Sequence, residues 1–452
     1  MTRIVHLAMW PVLKIIFKLF AGLNVYGLEN LKDVKKPVIF ASNHESYFDP
    51  FLIGSGLPWF SKFHPICYLA DDSFLKTISG KLAGFFGGVF SGKLNIGIER
   101  AMIKPLSLLW VGKTVGIFHE WCYKKEPLMY RMNKLIPLLS KESMRPVIPV
   151  FLYGIENISW KKILKFQKKV SIFYGKPLYF NNNLSEMEMI KKINASLYGV
   201  GAQMMEVIQN KEKVFWGNYS KFYHYLEKAD PHKELINDFK DSINKVKGTW
   251  IDFGSGSGAI ASILSEKGNK NNAKIIATDF ETKFIEELKN RFNEKGNVQA
   301  QFLDLTDKIK FEKNSIDGIT ANLVLPYIIC HDGNFSLKAF KSILREIFEI
   351  LKPGGIFVWS SPKKNVNFWK VAMSSKKNVF DFRDKKNIYY GMAILKQALK
   401  IEKKGRQGIY NFLSKEEIEK ILAEIGFVNI THKISMAKQV NIIKCEKPLT
   451  LD

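Results

Sequence analysis

Apolar and polar residues alternate in blocks along this chain, and the blocks form two successive α/β patterns. Pro37-Val38-Ile39-Phe40-Ala41-Ser42 is a short apolar run that predicts a buried strand, with Asn43 and His44 delivered at its end. Val147-Ile148-Pro149-Val150 predicts another strand of the same half. Residues 205–245 lack strand patterning and carry aromatic residues with Asp230-Pro231, which marks a boundary region. Beyond it, Gly248 to Phe253 predicts a strand, Gly254-Ser255-Gly256-Ser257-Gly258 a turn, and Ala259 to Glu266 a helix. Strands then follow at Lys274–Asp279, Gln301–Asp304 and Asp317–Asn322. Leu351 to Val358 reads as a helix end, a turn and a fifth strand. Ser414 to Gly426 predicts an N-capped helix, and Phe427 starts the last strands. The pattern divides the chain into a domain at 1–210 and a second at 211–452.

The first twenty-odd residues hold an early Arg3 and an apolar run, but no small-residue cleavage pattern follows, so secretion is not expected. Pro11, Lys14 and Lys18 interrupt the run, and no stretch of 18 uncharged apolar residues exists to span a bilayer. Leu13, Ile16, Phe17 and Phe20 recur at helical spacing, while Lys14 and Lys18 share another face. The expectation is an amphipathic helix lying in a membrane interface; the competing expectation is a first helix packed on its own domain.

Charge adds a second clue. The net charge is +25, with 27 Lys and Arg against 14 Asp and Glu over 1–210 (+13) and 41 against 29 over the rest (+12). A basic excess spread over both halves suits an anionic membrane face or nucleic acid. No base-stacking or target-recognition signature accompanies it, so no nucleic-acid partner is expected. Cys67, Cys122, Cys330 and Cys445 show neither disulfide nor metal-type spacing, and no metal is expected.

The candidate chemistry lies at the strand ends. His44 and Asp49 are about 140° apart on a helix by its 3.6-residue period, so only a loop brings them together as a base and its orienting carboxylate. Asp49-Pro50 also starts a helix, which gives Asp49 an alternative use as an N-cap. In the second half, the Gly-rich turn after Asp252 can bring backbone N–H groups to a ligand. Asp279 ends the next strand 21 residues after Gly258, where a carboxylate can accept hydrogen bonds from ribose hydroxyls. An NAD site would look similar up to that point.

Asn43-His44-Glu45-Ser46-Tyr47-Phe48-Asp49 resembles the His-x4-Asp motif of the glycerolipid acyltransferases, the lysophosphatidate acyltransferase family. Three further blocks match in order: Gly87 to Lys93, Gly116-Ile117-Phe118-His119-Glu120-Trp121, and Val147 to Val150. The resemblance implies that His44 deprotonates a hydroxyl or amine acceptor that attacks an acyl thioester of CoA or of an acyl carrier protein, with Asp49 fixing the imidazole. Glu120 would help position the acceptor, and Asn43, Lys93 and Phe118 would lie on the substrate side. Lys93 stands where the family has Arg, His119 and Trp121 replace Pro and Gly, and Cys122-Tyr123 replaces Thr-Arg, so part of the phosphate clamp is missing. The acceptor is then a lipid-like molecule other than lysophosphatidate, or the domain is a degenerate lipid-binding dock beside an active second domain.

The second half, from its Gly-rich turn to Leu351-Lys352-Pro353-Gly354-Gly355, resembles the class I S-adenosylmethionine-dependent methyltransferases. The resemblance implies a Rossmann-like fold that binds S-adenosylmethionine. Gly254, Gly256 and Gly258 would lie near the amino acid part of the cofactor and Asp252 by its ammonium. Asp279 would serve the ribose, Asp304 the adenine amine, and Asn322 would sit beside the reacting methyl. His331 follows the fourth strand and is a weaker catalytic candidate. Residues 363–412, with Phe368, Trp369, Phe380, Phe382, Tyr389, Tyr390 and Tyr410 among many basic residues, are expected to cap the acceptor site or to form a packed helical excursion. Together the expectations describe a bifunctional lipid-modifying enzyme at the cytoplasmic face of a membrane.

Overall fold

The computed structural model describes residues 2–44, 46–70, 75–76, 81, 88–91, 97–118, 126–155, 158–180, 183–220, 222–375 and 385–449. The chain divides into two compact units, Met1–Ile208 and Gln209–Asp452, and the division falls inside one long helix, Glu186–Ser220. Each unit is built on its own seven-stranded sheet.

The first unit holds β1 (Asn24–Tyr26), β2 (Ile39–Ser42), β3 (Ile66–Ala70), β4 (Val89–Ser91), β5 (Thr114–Phe118), β6 (Val147–Tyr153) and β7 (Ser171–Tyr174), in the order β1-β7-β6-β2-β5-β3-β4. β2 is central, parallel to β5 and β6, and all four of its residues are buried. A strand covered on both faces must be apolar throughout, which is why Ile39 to Ala41 shows no alternation. Its register sets Ser42 opposite Phe118 and Val150, so the chain leaves the sheet at Asn43 beside the ends of two neighbours.

The first helix, Thr2–Phe20, packs its expected apolar face inward. Phe17 is fully buried, Leu13, Ile16 and Phe20 pack against the same core, and Lys14 donates to the Leu57 carbonyl at 2.8 Å. The residues expected to enter lipid are therefore the packing face of the domain. Among the described residues no helix is long and apolar enough to cross a membrane.

The second unit holds β8 (Thr249–Phe253), β9 (Lys274–Asp279), β10 (Val298–Phe302), β11 (Ile316–Ala321), β14 (Leu351–Pro362), β15 (Val428–Ser435) and β16 (Val440–Glu446), in the order β10-β9-β8-β11-β14-β16-β15. β16 runs antiparallel to both its neighbours, and the other pairings are parallel. A short ribbon, β12 (Cys330–His331) and β13 (Asn334–Phe335), lies outside that sheet. The strand order reverses between β8 and β11, which opens a crevice at their carboxyl ends. The Lys352 to Gly355 turn is a register shift within β14: Ile316 pairs with Leu351 but Gly318 with Ile356. Ser414 caps the helix Lys415–Ile425 through a reciprocal capping box with Glu417, and Gly426 ends it at φ 111°.

Candidate functional site

In the first unit the turn after β2 folds His44 and Asp49 together. His44 Nδ1 lies 2.8 Å from Asp49 Oδ2. The same carboxylate accepts from Ser46 N at 2.9 Å and from the Ser46 hydroxyl at 2.7 Å. Asp49 is the first residue of the helix Asp49–Gly56, and Phe48 is the N-cap residue, without a side-chain cap bond. The N-cap use weighed for Asp49 is not what the structure shows; its carboxylate turns back to His44 and Ser46. In the tautomer with the proton on Nδ1, the lone pair sits on Nε2, the atom a general base needs.

Two aromatic rings back the imidazole. Phe118 stacks on His44 with centroids 4.3 Å apart, and Tyr68 stacks on Phe118 at 5.8 Å. Gly116 makes this possible, because a Cβ there would meet the Tyr68 ring at 2.3 Å. Burial pushes the Tyr68 hydroxyl well above its ordinary range, so it stays protonated. Asn43 is turned inward: its Nδ2 donates to Leu152 O at 2.9 Å and its Oδ1 accepts from Leu152 N at 2.8 Å. That carboxamide pins the turn to β6, and Phe118 backs the imidazole. Glu120 and Lys93 lie outside the described residues.

In the second unit the strand ends line a cavity of ≈ 220 Å³ at the crevice. Gly254, Gly256, Asp279, Asp304 and Asn322 all reach it, whereas Asp252 and Gly258 stand behind the turn. Gly254, Gly256 and Gly258 have φ of 61°, 53° and 89°. A Cβ at Gly254 would strike Val324 at 2.5 Å, and one at Gly258 would meet Leu288 at 2.8 Å, so the third glycine serves helix packing.

The acids divide into three states. Asp279 accepts from Gly256 N at 2.9 Å and Glu281 N at 3.0 Å, yet burial raises its pKa to about 6. Asp252 Oδ1 accepts from Thr320 Oγ1 at 2.7 Å, while its buried Oδ2 has no hydrogen-bond partner. Burial lifts its pKa to about 7; Thr320 and Ser255 oppose the rise, and the nearby Asp279 charge adds to it. An orphaned carboxylate oxygen next to a second buried acid is stabilised by a cation. Asp304 is the opposite case. Burial would raise it, but hydrogen bonds from Lys213 and Thr306 outweigh that and hold it below its ordinary value; Lys213 Nζ lies 2.9 Å from Oδ2. The Asp304 oxygens are thus already engaged by Lys213 and Thr306.

Asn322 Oδ1 accepts from the Ser360 hydroxyl at 2.7 Å, which fixes the carboxamide at the cavity. His331 does not reach the cavity: it is fully buried, with Nδ1 2.8 Å from Leu305 O and Nε2 3.1 Å from Glu346, as a structural histidine. Glu212, Lys213, Trp216 and Tyr219 line the cavity from the helix Glu186–Ser220, and none of them is singled out by a motif. Their only trace in the sequence is the aromatic density after residue 205. From the 363–412 segment, Ile401 lines the cavity and the buried Tyr410 donates to Glu212 at 2.6 Å, while Phe368 is packed and Trp369 and Tyr389 are exposed. The segment packs in part as a helical excursion and reaches the cavity at Ile401, and Phe380 and Phe382 lie outside the described residues. Among those described, no group of three or more His, Cys, Asp or Glu could hold a metal ion.

Residues 22–131 match the acyltransferase family model, and residues 244–425 match the methyltransferase domain model. The chain joins an acyltransferase to a methyltransferase. The acyltransferase match contains the His44–Asp49 turn, and the methyltransferase match contains every strand end that lines the cavity. Part of the chain is similar to the CurJ carbon methyltransferase (18% identity, 46% of this chain, 50% of that chain, TM-score 0.32). It is also similar to a SAM-dependent methyltransferase from Aquifex aeolicus (18% identity, 49% of this chain, 91% of that chain, TM-score 0.31). A third similar structure is the N-methyltransferase NodS from Bradyrhizobium japonicum in complex with S-adenosyl-L-homocysteine (13% identity, 49% and 90% covered, TM-score 0.33). This chain spans half the length of the CurJ chain. No curated protein matches the sequence.

Proposed function

We propose that the acyltransferase unit moves an acyl group from a thioester of CoA or acyl carrier protein to the hydroxyl or amine of a lipid-like acceptor, and that the methyltransferase unit methylates a lipid or small apolar acceptor. The observation that carries the first half is the 2.8 Å contact of His44 Nδ1 with Asp49, backed by the Phe118 stack. His44 Nε2 takes the acceptor proton as the acceptor atom bonds to the thioester carbonyl carbon. The carbon–sulfur bond then breaks, and the departing thiolate recovers the proton from the imidazolium. Asp49 steadies the imidazolium without itself being protonated. Glu120 and Lys93 enter as an acceptor-positioning acid and a phosphate contact by their place in the motifs.

For the second half, the cofactor that fits the cavity is S-adenosylmethionine, which when bound supplies a methyl group activated on a sulfonium. Asp279 would hold the ribose hydroxyls, and Asp252, behind the Gly-rich turn, would place a negative charge near the cationic end without touching it. Asp304 is available to an adenine amine once Lys213 shifts aside. Trp216 and Tyr327, with ring centroids 5.0 Å apart, and Tyr219 give the cavity an aromatic side suited to an apolar acceptor. Alignment is what such a transfer chiefly needs.

The test uses purified protein, a labelled acyl thioester and a total lipid extract. An acylated lipid should form with the wild type and be lost in His44→Ala. If no acylated product forms, the bifunctional reading fails for the lipids of the extract, and the alternative of a lipid-binding dock beside an active methyltransferase is favoured. Mass spectrometry of lipids from cells with and without the protein then looks for one species that gains both an acyl chain and methyl groups.

A further inference from the structure

The cavity of the methyltransferase unit carries its own competitor for one of its acids. Lys213 and Asp304 both line it, and Lys213 Nζ lies 2.9 Å from Asp304 Oδ2. The other oxygen is already filled, because Oδ1 accepts from Thr306 N at 2.9 Å and from the Thr306 hydroxyl at 2.7 Å. Oδ2 is therefore the atom left for a donor from the cavity. The Asp304 side chain is only 13% exposed, so a lysine ammonium and a ligand amine arriving there contend for one small opening. Lys213 itself is 48% exposed and has room to swing. A second acid adjoins the same helix: Glu281 lines the cavity, and its Oε2 lies 3.5 Å from where a Cβ would stand at Gly217, one turn past Lys213. Glu212, by contrast, is already held by Lys404 and by the Tyr410 hydroxyl.

We infer that Lys213 sets the affinity of this cavity for its cofactor by competing with the adenine amine for Asp304. The inference rests on the proposed reading of the cavity as an S-adenosylmethionine site, with Asp304 as the partner of that amine. Before the cofactor arrives, the carboxylate belongs to Lys213; binding requires the ion pair to open and the ammonium to turn toward solvent or Glu281. Only molecules with the pair open are competent, so the apparent dissociation constant exceeds the intrinsic one by the inverse of their fraction. The same competition acts on the demethylated product, which keeps the adenine, and return of Lys213 to Asp304 favours its departure. An ion pair with a half-exposed lysine is also screened by salt. Ionic strength should therefore free Asp304 and tighten cofactor binding, the reverse of what salt does to an attraction between ligand and site.

The experiment is calorimetric titration of the full-length protein with S-adenosylhomocysteine, which has the adenine but no sulfonium charge. At low salt Lys213→Met should bind it roughly fivefold more tightly than the wild type, the upper range for a partly exposed ion pair. Lys213→Gln should show the same gain without a new apolar side chain, and Lys213→Arg, which keeps the cation, should bind like the wild type. Added salt should favour binding in the wild type relative to Lys213→Met. Asp304→Ala, made in the Lys213→Met background, should weaken binding, because it removes the acceptor of the adenine amine. Wild-type affinity and salt response in Lys213→Met and Lys213→Gln, with Asp304→Ala still weakening binding, overturn the competitor and leave the adenine reading standing. No loss on Asp304→Ala removes the adenine reading and the competitor with it. No binding by the wild type or any variant sinks the cofactor reading itself.

Discussion

The turns after β2 and β8 both leave the middle of a parallel sheet and both carry an acid, but they treat that acid in opposite ways. Asp49 is fully spent inside its own turn, on His44 and on Ser46. Asp252 is left with one buried oxygen unpaired and a pKa raised to about 7. The first turn has its polar groups satisfied before any substrate arrives, as the proposed proton transfer needs. The second keeps a buried carboxylate with one oxygen unpaired, which a cation held nearby would stabilise. Preorganisation and unsatisfied affinity are thus separated along one chain, in units of the same sheet architecture.

The largest effect should come from breaking the first turn. His44→Ala should lower acyl transfer by about 10²–10⁴-fold, the range expected for a lost general base, while methyl transfer measured on the same preparation is unchanged. A joint loss would mean that the two sites are not independent.

Next, Asp252→Asn should weaken cofactor binding at pH 8 by up to about tenfold, the worth of a buried charge near the cationic end, as read by calorimetry. The wild-type affinity should climb with pH and flatten above about 7, as Asp252 ionises; in the variant the flattening should move to about 6, the value of Asp279. Stability should change in the other sense. The folded state holds on to a proton that the unfolded chain releases from about pH 3.8 upward, so this group's contribution is full below 3.8 and is lost as pH rises to about 7. At pH 8 the variant should therefore melt higher than the wild type in the absence of cofactor. An unchanged melting profile would show that Asp252 is not a strained buried charge.

The smallest effect tests how the first turn is held. Asn43→Ala removes both carboxamide bonds to Leu152 and leaves a backbone N–H and C=O unpaired, which should cost about 1–3 kcal/mol in denaturant unfolding. Acyl transfer should lose kcat with little change in KM, because the carboxamide bonds the Leu152 backbone and holds the turn. A raised KM with full kcat would return Asn43 to the substrate side.

Much of this was legible in the order of residues. Ile39 to Ser42, Trp250 to Phe253 and Ile275 to Asp279 announce themselves as apolar runs because strands buried on both faces tolerate little else. Chemistry-bearing residues then stand directly after the runs, where a parallel sheet gathers its strand ends. β10 was harder: its residues are mostly exposed, so the strand Val298–Phe302 starts three residues before the pattern suggests.

The sequence by itself determined the two α/β units and the strand ends that gather the candidate residues, and it offered His44 and Asp49 as a pair joined by a loop, because short-range spacing and hydrophobic period carry that information. Tertiary structure decided which way each side chain faces. It turned Asn43 inward to Leu152, laid Phe118 and Tyr68 behind the imidazole, brought Lys213 from a preceding helix onto Asp304, and left Val12, Ile15 and Leu19 outside while their neighbours packed. Those outcomes depend on contacts between residues far apart in the chain, whose free energies are settled only when the sheets and helices close on one another.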